Sequence, residues 1–469
     1  MQKVHIIGIC GVGMSATAIL LKQAGYQISG TDAGCHEPVT SVLAKADISP
    51  LLGYAPENIP RDVDFFIVGR NAKLAPSENE EVRCAYESGK PVYSFPEMLG
   101  TLTKNRKNVV VAGSYGKSTT ASLIAHILQA GGVDAGYFIG AEPVSLPSPA
   151  YLGTHETFVL EGDEYPSAHD DSRAKFMHLH PSDVVLTSVV HDHINVYPTF
   201  EEYQRPFQEL LTLLPNDGLV IVSHKEPGAL KLATHSGREI VTYGVDSGMY
   251  HAKDIAYDRT TTFSLVCPDG NTIPLATTQL GTHNVEDIIG ASAYVLSRKL
   301  ISPEQLPLAI LSFGGVRRRL DNIAPQSRVP VYEGFGTSYE KAVSAIAAIR
   351  LHFPEKRLVT IFEPHTFGWR NRGNLLWYDD VFQGSELVFV ATPETQGAKT
   401  HDQISYSEIV DRIHSSGIET HTYTPTNIAS VVNSLHENDV VLILTSGSLE
   451  NSIIPLAEEI TTRFHLEII

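Results

Sequence analysis

The chain has 469 residues, 42% of them hydrophobic and 19% charged, a globular composition too long for one core, which predicts three domains. Its net charge of −18 excludes nucleic acid as a partner, because a phosphate backbone is held by a basic face. No signal peptide opens it, no apolar run reaches membrane-spanning length, and Cys10, Cys35, Cys84 and Cys267 lack CxxC spacing, which fits a reducing cytoplasm and no zinc site.

Residues 1–107 alternate strand-like and helix-like segments: a strand over 4–9, a helix over about 14–24, then strands over 27–30, 65–68 and 91–93. This is the rhythm of an open α/β sheet. Between the first strand and helix lie Gly8, Cys10, Gly11, Val12, Gly13 and Met14, and Asp32 ends the second strand. Glycines at such a turn let the backbone approach a pyrophosphate, and a carboxylate after the second strand can bind a ribose hydroxyl. The spacing is Gly-x-x-Gly-x-Gly rather than Gly-x-Gly-x-x-Gly. A dinucleotide, another nucleoside diphosphate and a purely structural turn therefore all stay open.

A polar stretch over 103–108 reads as a linker into the apolar strand 109–112. That strand runs into Gly113-Ser114-Tyr115-Gly116-Lys117-Ser118-Thr119-Thr120 and a helix-forming run over 121–129. The pattern holds a nucleotide triphosphate: backbone N–H groups and the helix N-terminus cradle phosphates, the lysine sits on the outer ones, and Ser118 can ligate Mg²⁺. The alternative is a glycine turn with no ligand. Residues 158–165 end an apolar strand in Glu161, Asp163 and Glu164, which suit Mg²⁺ beside a phosphate loop; the bland reading is a solvated acidic loop.

Further apolar strands run over 184–190, 219–222 and 260–266. After the first of these, His191, Asp192 and His193 suit a metal or a phosphate, or are packed or solvent-facing side chains. Asn284 opens a helix to Ser297 and either reads an adenine edge or caps that helix. Arg317, Arg318 and Arg319 suit a phosphate clamp at a domain junction, or form a solvated basic run. Strand–helix alternation then resumes, with strands over 329–332, 357–362, 386–390 and 440–444.

In order and spacing, the segment 113–120, Glu161 to Glu164, Asp192-His193, Gly281-x-His283-Asn284 and the arginines ending at Arg319 resemble the Mur ligases, ATP-dependent amide ligases of cell-wall precursor synthesis. The likeness covers essentially the whole chain. It implies an α/β protein of three domains: a Rossmann-like UDP-binding domain over 1–107, a central P-loop ATPase-like domain over 108–321, and a C-terminal Rossmann-like α/β domain over 322–469. By resemblance, Lys117 and the backbone of Gly113, Ser114, Tyr115 and Gly116, with Ser118 and Thr119, bind ATP. Ser118 and Glu161 hold Mg²⁺, and His193 helps hold a second ion. Asn284 contacts adenine, Arg319 reaches the γ-phosphate, and Gly8 to Met14 with Asp32 bind the UDP moiety.

Cys10 and the stretch carrying Arg173, Lys175 and His178 are similar to the branch that joins UDP-N-acetylmuramate to the tripeptide L-alanyl-γ-D-glutamyl-meso-diaminopimelate. Arg173, Lys175 and His365 are then expected at the peptide, in an enzyme of wall recycling. The branch that adds L-alanine is the alternative, and a non-catalytic relative binding UDP-muramate or ATP is a further one. Five positions depart from the family pattern: Ser188 and Val190 replace Asn and Glu, Asp287 replaces a second Asn, and Thr337-Ser338 stand in place of a His pair. No lysine lies between His193 and Lys225, so no carbamylated lysine is expected.

Overall fold

Three sheets organise the protein, and the computed structural model describes residues 1–192, 196–393 and 402–466. The chain divides into two compact units. One comprises Met1–Ile255, Thr262–Thr277 and Val285–Gly314; the other comprises Ala256–Thr261, Thr278–Asn284 and Gly315–Ile469.

The first unit opens with five parallel strands, β1 (Lys3–Ile7), β2 (Gln27–Asp32), β3 (Leu51–Leu52), β4 (Phe65–Val68) and β5 (Val92–Tyr93), in the order β3-β2-β1-β4-β5. Helices α1 (Val12–Gln23), α2 (Val39–Lys45), α3 (Glu80–Glu87) and α4 (Phe95–Thr103) accompany them. Helix α4 starts where sequence chemistry says it must: Ser94 and Glu97 form a reciprocal capping box, with Pro96 inside the first turn.

A ten-stranded sheet follows, built on β6 (Lys107–Ala112), β7 (Gly136–Phe138), β8 (Ala150–Tyr151), β9 (Thr157–Glu161), β10 (Pro181–Leu186), β11 (Leu219–Ser223), β12 (Glu239–Gly244), β13 (Tyr250–Ala256), β14 (Thr261–Val266) and β15 (Thr272–Thr277). Its order is β15-β14-β13-β12-β11-β10-β6-β9-β7-β8. The central β6 is flanked in parallel by β9 and β10, and Val109, Val110, Val111 and Ala112 have no exposed surface. A strand covered on both faces must be apolar throughout, which is why 109–112 read as an unbroken hydrophobic run. Its helices are α5 (Lys117–Ala130), α6 (Phe200–Thr212), α7 (Pro227–His235), α8 (Thr282–Ser297) and α9 (Leu306–Leu311).

The second unit holds β16 (Arg319–Asn322), β17 (Val331–Gly334), β18 (Arg357–Phe362), β19 (Leu387–Ala391), β20 (Glu419–Tyr423) and β21 (Asp439–Leu444), in the order β16-β17-β21-β18-β19-β20. Only β16 runs antiparallel to its neighbour. Helices α10 (Tyr339–His352), α11 (Phe367–Arg370), α12 (Tyr406–Ser415), α13 (Ile428–Ser434) and α14 (Ile453–Arg463) belong to it, and apolar clusters line both faces of the sheet.

The α/β class read from the sequence holds. The short β7–β8 pair, β12 and β20 carry no strong period-2 signal, whereas β15 alternates exposed and buried residues but is interrupted by Pro274. Among the described residues no helix is long and apolar enough to cross a membrane.

Candidate functional site

Strand β6 delivers the chain into the turn 113–116, and α5 starts at Lys117. Gly113 has φ +146° and Gly116 φ +79°. A Cβ on Gly113 would lie 2.2 Å from Thr187 Oγ1, and one on Gly116 would lie 2.6 Å from Asp287 Oδ1. Both steric room and backbone conformation therefore demand glycine at these positions. Helix α5 begins on Gly116, which makes no side-chain cap to its first N–H groups. An anion placed there meets oriented donors and the positive end of the helix dipole.

The turn is stitched to the segment after β10. Ser114 Oγ donates to the Val190 carbonyl at 2.7 Å and accepts from the Val190 N–H at 2.8 Å. Tyr203, fully buried, donates its hydroxyl to Ser114 Oγ at 2.8 Å. The Ser114 and Tyr115 N–H groups bond the Ser188 carbonyl and hydroxyl, at 3.1 and 2.9 Å. These two donors are thus spent within the protein, which leaves those from Gly116 onward to meet an anion. Ser188 and Val190, odd against the family pattern, act here by shaping the loop.

Three carboxylates surround the loop lysine. Lys117 Nζ donates to the Gly113 carbonyl at 2.5 Å and to Glu164 Oε2 at 3.1 Å; Glu164 is fully buried. Burial pulls the Lys117 pKa down, but Glu164, Asp163 and Glu161 push it up further and the net shift is upward, so the ammonium stays charged. Ser118 Oγ donates to Glu161 Oε1 at 2.7 Å, and Glu161 Oε2 accepts from the Gly140 N–H at 2.6 Å. The register that pairs Val111 with Glu161 across β6 and β9 sets this carboxylate beside the start of α5. A hydroxyl and a carboxylate in contact at a phosphate-loop helix are hard oxygen donors of the kind Mg²⁺ takes, so the residues present fit that ion. Asp287 accepts from Thr120 Oγ1 at 3.1 Å and backs Gly116, a tertiary role no local motif announced. His193 lies outside the described residues.

At the other glycine turn, Gly8 (φ +86°) and Ile9 donate N–H groups to the Thr31 carbonyl, and Cys10 N–H donates to Asp32 Oδ2 at 2.8 Å. Asp32 Oδ1 accepts from the Ala33 N–H and the Tyr54 hydroxyl, at 2.7 and 3.1 Å. Gly11 and Val12 are exposed at the start of α1, whereas Met14 is buried in the core. Although none of the four cysteines has CxxC spacing, Cys10 and Cys35 are joined by a disulfide, because parallel neighbours β1 and β2 bring their following loops side by side.

The stretch carrying Arg173 and Lys175 folds against this N-terminal sheet. Arg70 donates to the Ala168 carbonyl and His169 bonds the Asn71 carbonyl. A cavity of about 300 Å³ lies between them, lined by Val68, Tyr93, Glu97, Asp171 and Arg173 among others. Arg173 forks onto Asp171, which also bonds His178 at 2.9 Å. Lys175 pairs with Asp163 at 2.5 Å and lies over the Phe95 and Tyr165 rings. Lys175 thus touches the acidic cluster of the phosphate loop through Asp163, while Arg173 borders the cavity.

The remaining candidates belong to the second unit. Asn284 is buried and donates its amide to the Leu280 carbonyl at 2.7 Å. Arg319 lies on β16, with its guanidinium 5.2 Å from the Phe335 ring centroid. Its neighbour Arg318 bonds Glu333 at 2.7 Å and the Gly447 carbonyl at 2.6 Å, from a left-handed backbone (φ +64°). His365 sits with Nδ1 4.0 Å from Glu363 Oε1 on the loop after β18, where Thr366 Oγ1 donates to the Thr337 carbonyl at 3.0 Å. The carboxyl ends of β17, β18 and β21 therefore meet at Thr337, His365 and Thr445 to Gly447.

Comparison with known proteins adds the following. Residues 3–107 match the family model "Mur ligase family, catalytic domain" and residues 111–295 match "Mur ligase middle domain". The UDP-N-acetylmuramate–L-alanine ligase of Xylella fastidiosa is 31% identical over 373 residues, 78% of this chain and 76% of that protein. The solved UDP-N-acetylmuramate–alanine ligase of Thermotoga maritima superposes with a TM-score of 0.80 at 23% identity, covering 99% of both chains. The murein peptide ligase of Psychrobacter arcticus does so with a TM-score of 0.71 at 22% identity, covering 98% of this chain and 99% of that one.

Proposed function

Because this chain belongs to the Mur ligase family, ATP-dependent and ADP-forming amide ligases of peptidoglycan synthesis, we propose that it joins the carboxylate of UDP-N-acetylmuramate to L-alanine. The observation that carries the ATP-dependent part is the Lys117 ammonium among Glu161, Asp163 and Glu164 at the head of α5, with Ser118 on Glu161. The L-alanine acceptor is supported by the relative at 31% identity, an L-alanine ligase. The tripeptide is the second reading, favoured by the packed stretch with Arg173 and Lys175 that borders the cavity beside β4 and β5.

The reaction follows from the residues. The muramoyl carboxylate attacks the γ-phosphorus of ATP, ADP leaves, and an acyl phosphate results. The acceptor amine then displaces phosphate through a tetrahedral intermediate. Little covalent protein chemistry is needed; positioning and charge carry the acceleration. Lys117 exchanges Glu164 and the Gly113 carbonyl for phosphate oxygens. The α5 N-terminus receives the same phosphates. Ser118 and Glu161, with His193, are the proposed holders of Mg²⁺, which supplies charge neutralisation on the phosphates. Asn284 is proposed for adenine, Arg319 for the γ-phosphate, Gly8 to Gly13 and Asp32 for UDP, and His365 for the acceptor. The proposed domains are 1–107, 108–321 and 322–469, and the place of action is the cytoplasm, where ATP and the UDP-sugar meet.

The test is phosphate release from ATP and UDP-N-acetylmuramate, with L-alanine and the tripeptide offered side by side. Turnover on L-alanine supports the proposal; turnover on the tripeptide alone replaces it with the second reading. Binding of ATP and UDP-sugar without turnover on either acceptor would sink both.

A further inference from the structure

The glycine turn after β1 and the segment after β2 are tied together twice. Cys10 N–H bonds Asp32 at 2.8 Å, and the Cys10 and Cys35 sulfurs are joined with their Cα atoms 5.3 Å apart. Both cysteines are half-buried, resting on the apolar core beneath the turn, and Cys84 and Cys267 remain free thiols. A reagent in solution therefore reaches the bridge.

Its position matters more than its presence. At the carboxyl ends of adjacent parallel strands, a nucleotide lays its diphosphate on the glycine turn and its sugar against the acid after the second strand. It therefore touches both segments that this bridge joins. While intact, the bridge fixes the Cys10 and Cys35 Cα atoms 5.3 Å apart, so the turn cannot draw back from the segment after β2. Asp32 is also occupied in this state: its oxygens accept from Cys10, Ala33 and Tyr54. Burial and the Asp32 charge push the Tyr54 phenol up to about 12, so it stays a donor to that carboxylate.

We propose that Cys10 and Cys35 form a reversible thiol–disulfide site that closes the nucleotide-sugar cleft when oxidised and opens it when reduced. The inference rests on the reading of Gly8 to Asp32 as the UDP site and adds its regulation. The oxidant is a low-molecular-weight disulfide. One cysteine thiolate attacks it, expelling one thiolate and leaving a mixed disulfide; the second cysteine thiolate then displaces the other half. Two protein thiols are oxidised, one external disulfide becomes two thiols, and the two cysteine protons pass to the expelled thiolates. In a reducing compartment such a bond is transient, as a regulatory bond must be.

The full-length chain is treated with dithiothreitol or with glutathione disulfide, its thiols are counted by alkylation and mass spectrometry, and ligand binding is measured by calorimetry. Oxidation lowers the thiol count from four to two. It weakens UDP-N-acetylmuramate binding at least about tenfold, and leaves ATP binding unchanged. Cys35→Ser binds the UDP-sugar as the reduced chain does under both treatments. Equal or tighter UDP-sugar binding in a verified disulfide form overturns the switch and leaves the UDP site standing, as does a Cys35→Ser chain that still responds to oxidant. Failure of both redox forms to bind the UDP-sugar while ATP binds overturns the site reading itself, and the switch with it.

Discussion

Lys117 and Glu164 show how the charge of a largely buried loop lysine is balanced within the chain. The ammonium is largely buried, and Glu164, with no exposed surface, answers its charge. Removing one partner of such a pair leaves an uncompensated buried charge, which costs about 3–5 kcal/mol, whereas removing both costs far less. Lys117→Met is therefore expected to abolish ATP turnover and to lower the urea midpoint, and adding Glu164→Gln should restore most of the stability but none of the turnover. A Lys117→Met chain as stable as wild type would contradict the pairing. The sequence announced Lys117 and Ser118, because their role follows from local spacing. Resemblance already placed Ser118 with Glu161, but nothing in the sequence said that Lys117 takes Glu164. That partition depends on the register of β9 against β6, which no single segment encodes.

At the scale of elements, the turn 113–116 depends on two glycines, and the clash with fixed backbone weighs more at one of them. Gly116 needs a left-handed backbone, worth about 1–2 kcal/mol against any other residue. At Gly113 a new Cβ would meet Thr187 Oγ1 at 2.2 Å and the Ser188 backbone N–H at 2.8 Å, and that backbone cannot swing away. Gly113→Ala should thus destabilise more than Gly116→Ala and raise the KM for ATP more, as thermal melts and initial rates will show; the reverse ranking would refute this geometry. Helix α10 offers a pH test. Its terminal His352 is buried, its pKa lowered by burial, with Nε2 accepting from the Gly281 N–H at 2.9 Å and Nδ1 bonding the Asp258 carbonyl at 2.6 Å. A base whose folded pKa is depressed contributes stability above its unfolded pKa, about 6.5, and loses it as pH falls below that value. The melting temperature should drop from pH 7 to pH 5, and His352→Gln should flatten that slope; an equally steep slope in the variant would exclude His352 as its cause. Strands buried on both faces, such as β6, β11 and β21, were legible as apolar runs. The half-exposed β12 and β20 were not, because neighbours rather than an intrinsic period fold them.

For the whole molecule, the two compact units make a single unfolding transition the wrong expectation. Scanning calorimetry should resolve at least two transitions, and ATP with Mg²⁺ at about 100 times its Kd should stabilise the one that carries 113–119 by about 2.7 kcal/mol. One transition, indifferent to nucleotide, would rule this out. Length and composition predicted several cores. They said nothing of the Cys10–Cys35 bond or of Asp287 behind Gly116, contacts that exist only once distant loops are folded together. The two-way bond between Ser114 and Val190 carries a last consequence, for protein engineering. Grafting the phosphate loop of a relative into this chain transplants half a clasp. The segment 187–190 must travel with 113–116 as one exchangeable cassette, because a chimera that moves either piece alone puts at risk the bonds that join the two.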